Sequence, residues 1–226
     1  MKYISIAIDG PAGAGKSTLA RAVAKELGYV YVDTGAIYRT VGYHMSMMGI
    51  GPRDVDGVTR LIDDVNLKIV YDAEGLQHML LGGYDVTGEI RTQEMGDYAS
   101  KLSTLKVVRD FLLDVQRQLA ETHNVVMDGR DIGTVVLPNA DVKIFLTASP
   151  EVRAQRRFLE LQQKGDRKTT LQKVLQEIKE RDERDANRPI APLKPAEDSV
   201  LLDTSELGLQ EAVAAMKSII EERLRA

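Results

Sequence analysis

Gly10-Pro11-Ala12-Gly13-Ala14-Gly15-Lys16-Ser17-Thr18 fits the pattern G-x-x-x-x-G-K-[ST]. The apolar run Tyr3-Ile4-Ser5-Ile6-Ala7-Ile8 precedes it, and a helical pattern with Leu19, Ala22, Val23 and Leu27 on one side follows. Strand, glycine-rich loop and helix in that order are the context in which this pattern binds phosphate. The glycines let backbone N–H groups close around a β-phosphate, and the helix N-terminus behind the loop adds partial positive charge. Lys16 then reaches toward the β- and γ-phosphates of a nucleoside triphosphate, and the Ser17 hydroxyl is placed to bind Mg²⁺. Elsewhere the chain must hold either a receiver for the phosphoryl group or a switch thrown by its hydrolysis.

Outward from the loop, five short β-rich runs alternate with helical patterns: Tyr3 to Ile8, Tyr29 to Val32, Val125 to Met127, Val142 to Leu146 and Val200 to Leu202. Near-continuous apolar strands separated by helices predict an α/β fold with a five-stranded parallel sheet covered on both faces. All but the fourth run into an acid, giving Asp9, Asp33, Asp128 and Asp203. Ligands of such sheets bind beyond the carboxyl ends of the strands, whereas an acid closing a strand is also an ordinary helix N-cap. Asp9 and Asp203 are read as structural, Asp33 and Asp128 as functional.

Gly28 ends the first helix, Gly49 with Pro52 ends one that begins near Ile37, and a helix from Val55 to Val65 follows. The rhythm then breaks. Asn66 to Asp72 and Leu76 to Leu81 are strand-like around the turn Ala73-Glu74-Gly75, and Gly82-Gly83 leads into a third strand at Tyr84-Asp85-Val86. Residues 66–91 are therefore expected to form a small antiparallel insert. With the short helix carrying Met95, Ala99 and Leu102, it covers the acceptor side of the site. Leu105, Val108, Leu112, Val115 and Leu119 make a stripe on a long helix, with Arg109 beside it. That arginine either covers apolar surface with its stem or aims its charge into a cleft.

Ser149-Pro150-Glu151 opens a further helix with a capping serine, a proline in the first turn and an acid at the positive end. It carries Arg153, Arg156 and Arg157 and runs into Lys164-Gly165-Asp166-Arg167-Lys168, a segment that suits a mobile lid over phosphates as well as a solvated helix face. In the next helix Leu171, Val174 and Ile178 continue at the same spacing to Arg181, Asp185 and Arg188. Charges in register with a core stripe should point into a cavity or a ligand, although Arg181 and Asp185 also make an i,i+4 pair. Pro189 and Pro192 end that helix, and Leu207 to Arg225 reads as a last helix packed on the sheet through Leu209, Val213, Met216 and Ile220.

A chain of 226 residues suits one sizeable domain or a domain with an insertion. The lack of cysteine excludes disulfides and cysteine-ligated metal, and His44, His78 and His123 are read as surface or packing residues without metal-ligand spacing. A net charge of −4 without a basic stripe or tail argues against a nucleic-acid partner. Anionic ligands must be met by individually placed Lys and Arg. No run approaches the ~18 apolar residues of a membrane span and no signal-like segment is evident, so a soluble, cytoplasmic protein without a membrane partner is expected. A monomer is the simpler expectation.

A phosphate loop alone leaves open a GTPase switch, an ATPase motor module and a kinase for a small acceptor. The Asn-Lys-x-Asp loop that reads guanine has no counterpart, since no Asn-Lys pair occurs in the chain. A motor module usually borrows an arginine from a neighbour, and here candidate arginines lie in cis between residues 39 and 188. The acceptor kinase is favoured.

Beyond the loop, Asp33-Thr34-Gly35-Ala36-Ile37-Tyr38-Arg39, Gly88-Glu89-Ile90-Arg91, Asp128-Gly129-Arg130-Asp131-Ile132-Gly133-Thr134 and Arg181-Asp182-Glu183-Arg184-Asp185-Ala186-Asn187-Arg188 resemble the motifs of bacterial-type cytidylate kinases. The resemblance covers essentially the whole chain, insert included. It implies a three-layer α/β/α P-loop kinase fold, transfer of the ATP γ-phosphoryl group to CMP or dCMP, and Mg²⁺ as the required ion. It further implies a core of about 1–35, 105–150 and 189–226, a nucleotide-acceptor region of about 36–104 enclosing the β insert, and a mobile lid of about 151–170.

Carried over residue by residue, the resemblance gives Gly10 to Thr18 to ATP and the cytosine edge to Ser100, Arg109 and Asp131. Arg109 can donate to O2 and N3, and Asp131 can accept from N4; uracil would leave them mismatched at ~1–3 kcal/mol per buried group. Tyr38 supplies a ring near the nucleotide. Arg39, Arg130 and Arg188 resemble ligands of the acceptor phosphate, and Arg181 and Asp185 resemble contacts to phosphate and sugar. Lys16, Arg130, Arg181 and Arg188 are the candidate catalytic cations. Asp33 lies near the acceptor, and Asp128 stands where related kinases hold Mg²⁺ through water. Two other readings remain: a kinase for a different small acceptor, such as UMP or a polyol, and a nucleotide-binding regulator without acceptor chemistry.

Overall fold

The computed structural model describes residues 2–225. Five strands, β1 (Ser5–Asp9), β2 (Val30–Asp33), β6 (Val125–Gly129), β7 (Val142–Thr147) and β8 (Val200–Asp203), form one sheet in the order β2-β6-β1-β7-β8, and every pairing is parallel. A separate antiparallel sheet contains β3 (Leu67–Tyr71), β4 (Gln77–Leu81) and β5 (Tyr84–Asp85). The helices are α1 (Lys16–Leu27), α2 (Thr34–Met47), α3 (Val55–Leu61), α4 (Gln93–Leu102), α5 (Lys106–Thr122), α6 (Pro150–Gln163), α7 (Leu171–Asn187) and α8 (Leu209–Arg225).

Alternation along the strands builds the three layers. Val125 and Met127 of β6 join a core with Ile37, Val41 and Met45 of α2, Val108 and Leu112 of α5, and Met79 of the insert. Val126, between them, points to the other face, where Ile6 and Ile8 of β1 meet Leu19 and Val23 of α1 and Met216 and Ile220 of α8. Residues one apart on a strand serve opposite cores, so both faces are buried and the strands read as continuous apolar runs. Helices α6 and α7 share a small core of their own around Ala154, Val174 and Ile178.

The junction of β1 with the phosphate loop explains one glycine. Gly10 has φ +150, and a Cβ there would lie 1.9 Å from the Leu146 carbonyl oxygen of β7. Only a residue without a side chain lets the chain leave the sheet so close to its neighbour.

Several boundaries differ from the sequence reading. Helix α2 starts at Thr34 rather than near Ile37, because Asp33 Oδ1 accepts from the Ala36 N–H at 2.8 Å and caps it. The helix expected over Val55 to Val65 ends at Leu61 and tightens into a single 3₁₀ turn at Ile62–Asp64. A wide π turn at Ile132–Val136 gave no periodic signal. It is held by Asp9, whose two carboxylate oxygens accept from the N–H groups of Ile132 and Gly133, each at 2.7 Å. In α8 the buried stripe is Ala212, Met216 and Ile220, while Leu209 is 59% exposed and does not pack on the sheet. Among the described residues no helix is long and apolar enough to cross a membrane.

Candidate active site

A cleft of about 590 Å³ opens at the carboxyl ends of β1, β2 and β6, between the phosphate loop, the start of α2, α4 and the later turns of α7. Ala12, Gly13, Gly15, Lys16, Ser17 and Thr18 line it, whereas Gly10, Pro11 and Ala14 are buried beneath. Gly15, at φ 91, caps α1 without a side-chain bond, so the first N–H groups of that helix carry no side-chain cap. Lys16 is buried, and its Nζ donates to the Pro11 carbonyl at 2.8 Å. Burial, and next the nearby Arg130, push its ammonium well below the usual lysine range. Positive charge is crowded at this point, and an arriving anion relieves the crowding.

On the cleft floor Ser17 Oγ donates to Asp128 Oδ2 at 2.9 Å, and the Tyr31 hydroxyl donates to Asp128 Oδ1 at 2.8 Å. Burial, and after it the charge of Asp33, raise the Asp128 carboxyl above its ordinary value, against the pull of Lys16. Asp33 caps α2 with one oxygen. Its Oδ2 accepts from Arg39 Nη2 at 3.1 Å and Arg91 Nη1 at 2.8 Å. Burial opposes its ionisation, yet the two guanidiniums hold the carboxyl below the usual range.

Along α7, Asp185 is buried and accepts from Arg130 Nε at 2.9 Å; Arg181 lies 4.0 Å from the same oxygen. Burial works against the charge on Asp185, but Arg130 and Arg181 outweigh it and keep its carboxyl low. Burial, and then repulsion from Arg130, bring Arg181 down to about 10, so it stays cationic at neutral pH. The Nε groups of Arg39 and Arg181 are both buried without a hydrogen-bond partner.

At the far end, Arg109 Nη2 donates to Asp131 Oδ2, and Arg188 Nη2 donates to Asp131 Oδ1 at 3.1 Å. Arg109 aims into the cleft instead of covering apolar surface. Arg188 lies one residue beyond α7, since the following proline disfavours helical geometry, and its Nη1 also donates to Ser103 Oγ at 3.3 Å. Ser100 and Tyr38 line the same end, where burial pushes the Tyr38 phenol up to about 12.

The structure thus gathers Lys16, Ser17, Asp33, Tyr38, Arg39, Ser100, Arg109, Asp128, Arg130, Asp131, Arg181, Asp185 and Arg188 around one cavity. Arg156 and Arg157 line it too, and Arg157 Nη2 reaches across to Gln93 Oε1 of α4 at 3.0 Å. Arg153 does not. It is buried behind the loop, donating to the carbonyls of Ala148 and Ala12 and to Asp182 of α7. Two further arginines were missed. Arg91 pairs with Asp33, and Arg184 Nη1 donates to Ser100 Oγ at 3.1 Å. Both stand inside quoted motifs, but their partners lie far away in sequence. A groove of about 600 Å³ between α1 and α8 holds Lys217, paired with Glu26, as its one cation among the described residues.

A phosphate loop after the first strand of a parallel sheet, facing a cationic cleft, with a small antiparallel sheet inserted beside it, defines a P-loop kinase. The family model for cytidylate kinase matches residues 6–222. Curated relatives include cytidylate kinases of Caldicellulosiruptor bescii, 48% identical over 215 residues (94% of this chain, 93% of that one), and of Exiguobacterium sp., 48% identical over 221 residues (98% of each). The cytidylate kinase of Streptococcus pneumoniae is 43% identical over 224 residues, covering 99% of this chain and 100% of that one. The chain belongs to the cytidylate kinase family.

Proposed function

We propose that the family's reaction, transfer of the γ-phosphoryl group of ATP to CMP with dCMP as a further acceptor, proceeds here by charge neutralisation without a general base. The observation that carries this reading is that Arg39 and Arg181, which both line one cleft, each keep a buried Nε–H without a hydrogen-bond partner. Buried donors without acceptors are costly, so two of them at one cavity mark where an anion completes the site.

The loop N–H groups and Lys16 hold the donor's phosphates. Arg39, Arg130 and Arg188 hold the acceptor phosphate, and Arg181 and Asp185 bridge phosphate and sugar. A phosphate monoester has a second pKa near ~6, so the attacking oxygen is already largely ionised at pH 7. The obstacle is repulsion between two anions. Lys16, Arg130 and Arg181 offset it and stabilise the charge that spreads over the moving phosphoryl group. Arg188, held on Asp131 and Ser103, joins the base end to this array.

For the base, Arg109 donates to the O2 and N3 acceptors of cytosine, Asp131 accepts from N4, and Ser100 completes the edge. Ser17 and Asp128 suit Mg²⁺: a hydroxyl beside a buried carboxylate is a hard oxygen pair. Mg²⁺ would be held by Ser17 Oγ and, through water, by Asp128, and would supply charge neutralisation at the donor phosphates. In the same reading residues 36–104 form the acceptor-binding region, residues 151–170 a lid, and the rest of the sheet layer the core; the partners are nucleotides, and the protein acts as a cytoplasmic monomer.

Coupled measurement of ADP formation with CMP, dCMP, UMP, AMP, GMP and shikimate tests the assignment. Turnover should be fastest with the cytidine nucleotides. Equal rates with a non-cytidine acceptor would remove the base assignment, and ADP release independent of any acceptor would remove the acceptor site.

A further inference from the structure

We propose that Gln77 is a positioning residue for the acceptor-phosphate site, acting from the inserted sheet through the backbone of Asp33. β2 is an edge strand of the five-stranded sheet, pairing only with β6. At its last residue the Asp33 N–H donates to Gln77 Oε1 at 2.8 Å, and Gln77 Nε2 donates to the Asp33 carbonyl at 3.3 Å. A side-chain amide from β4 thus makes both bonds that a hydrogen-bonded residue pair exchanges between antiparallel strands.

The bond is not needed to attach the insert. Met79, Val86 and Ile90 of that region are already buried in the core shared with α2 and α5. What the amide adds is direction. Asp33 N–H and C=O are fixed on one side, its Oδ1 is fixed by the Ala36 N–H, and its Oδ2 is left to hold Arg39 and Arg91 at 3.1 and 2.8 Å. Arg91 lies in a short 3₁₀ turn at Glu89–Arg91 just after β5, so the insert supplies both the brace on Asp33 and one of the arginines it holds. Gln77 does not line the cleft, and it acts only through this carboxylate. The inference rests on reading the Asp33 and Arg39 end of the cleft as the place of the acceptor phosphate.

The test is calorimetric binding of CMP and of ADP to the full chain carrying Gln77→Ala, Gln77→Glu or Arg39→Ala. Gln77→Glu keeps size and one acceptor but sets a carboxylate against the Asp33 carbonyl, so it serves where the alanine variant fails to fold. Both Gln77 variants should weaken CMP about tenfold while ADP stays within about twofold, and the inhibition constant of cytidine, which lacks the phosphate, should not move. CMP affinity within about twofold of the parent, or equal losses for CMP, ADP and cytidine, overturns the proposal. If Arg39→Ala weakens CMP and the Gln77 variants do not, Gln77 alone is misassigned. If none of the three weakens CMP, the reading of that end of the cleft fails first.

Discussion

Asp131 carries two guanidiniums, Arg109 on one oxygen and Arg188 on the other, so the group assigned to the cytosine amine is held rigidly before any base arrives. Replacing it with asparagine presents an amide where N4 donates. CMP should then lose about 10- to 100-fold in kcat/KM relative to UMP, the ~1–3 kcal/mol of one mismatched buried group. An unchanged CMP to UMP ratio would contradict the base assignment. Asp9 makes a different prediction. Burial raises its pKa to about 6, with the Ile132 and Gly133 N–H groups pulling against it. The folded state therefore holds this proton more tightly than the unfolded state, and stability falls as pH rises from about 3.8 to about 6, then levels. Urea unfolding should show the parent losing about 3 kcal/mol relative to Asp9→Asn across that window; a constant difference would contradict it. At this scale the motif made Lys16 and Ser17 legible, whereas Arg109 was ambiguous because periodicity tells which stripe a residue borders but not whether a carboxylate 22 residues away faces it. Gln77, 44 residues from Asp33, gave no signal at all, since an amide in a strand reads the same whether it meets water or an edge backbone.

Among the elements, α8 shows how a stripe is misread. Of the expected stripe Leu209, Val213, Met216 and Ile220, the last two are buried and Val213 packs half-buried on the same core, while Leu209 is exposed and the small Ala212 takes a buried place that a periodicity reading passes over. Met216→Ala should cost ~2–5 kcal/mol in unfolding experiments, and Leu209→Ala less than ~0.5 kcal/mol. Comparable costs would put Leu209 back in the buried stripe. The β1–loop junction gives a sharper case: Gly10→Ala must move backbone, since its Cβ would meet the Leu146 oxygen at 1.9 Å. A loss of ~3 kcal/mol or more, together with loss of ATP binding, is expected; a variant as stable as the parent would contradict the close approach. Helix α7 was legible in substance, because charges at core spacing did mark its inward face, and Asp185 is buried there. Its last arginine proved to lie beyond the helix, where Pro189 turns the chain.

Across the whole molecule, the parallel order of the sheet places the ends of β1, β2 and β6 side by side, and the cleft opens there because every connecting helix starts from that edge or returns from it. The fold was readable because apolar strands and amphipathic helices alternate plainly; the π turn at Ile132–Val136 was not, because it is held by a carboxylate 123 and more residues distant. Helix α4 and the α6–α7 pair face each other across the opening, joined there by Arg157 and Gln93. In the proposed reaction the anions of donor and acceptor lie between them. The most direct measurement is a crystal structure of the chain with CMP and a non-hydrolysable ATP analogue bound together. The account predicts a CMP phosphate oxygen within hydrogen-bond distance of the Arg39 guanidinium, Arg181 turned onto phosphate or sugar, and the cytosine edge on Arg109 and Asp131. CMP bound elsewhere, with Arg39 and Arg181 making no contact to phosphate or sugar, would contradict it.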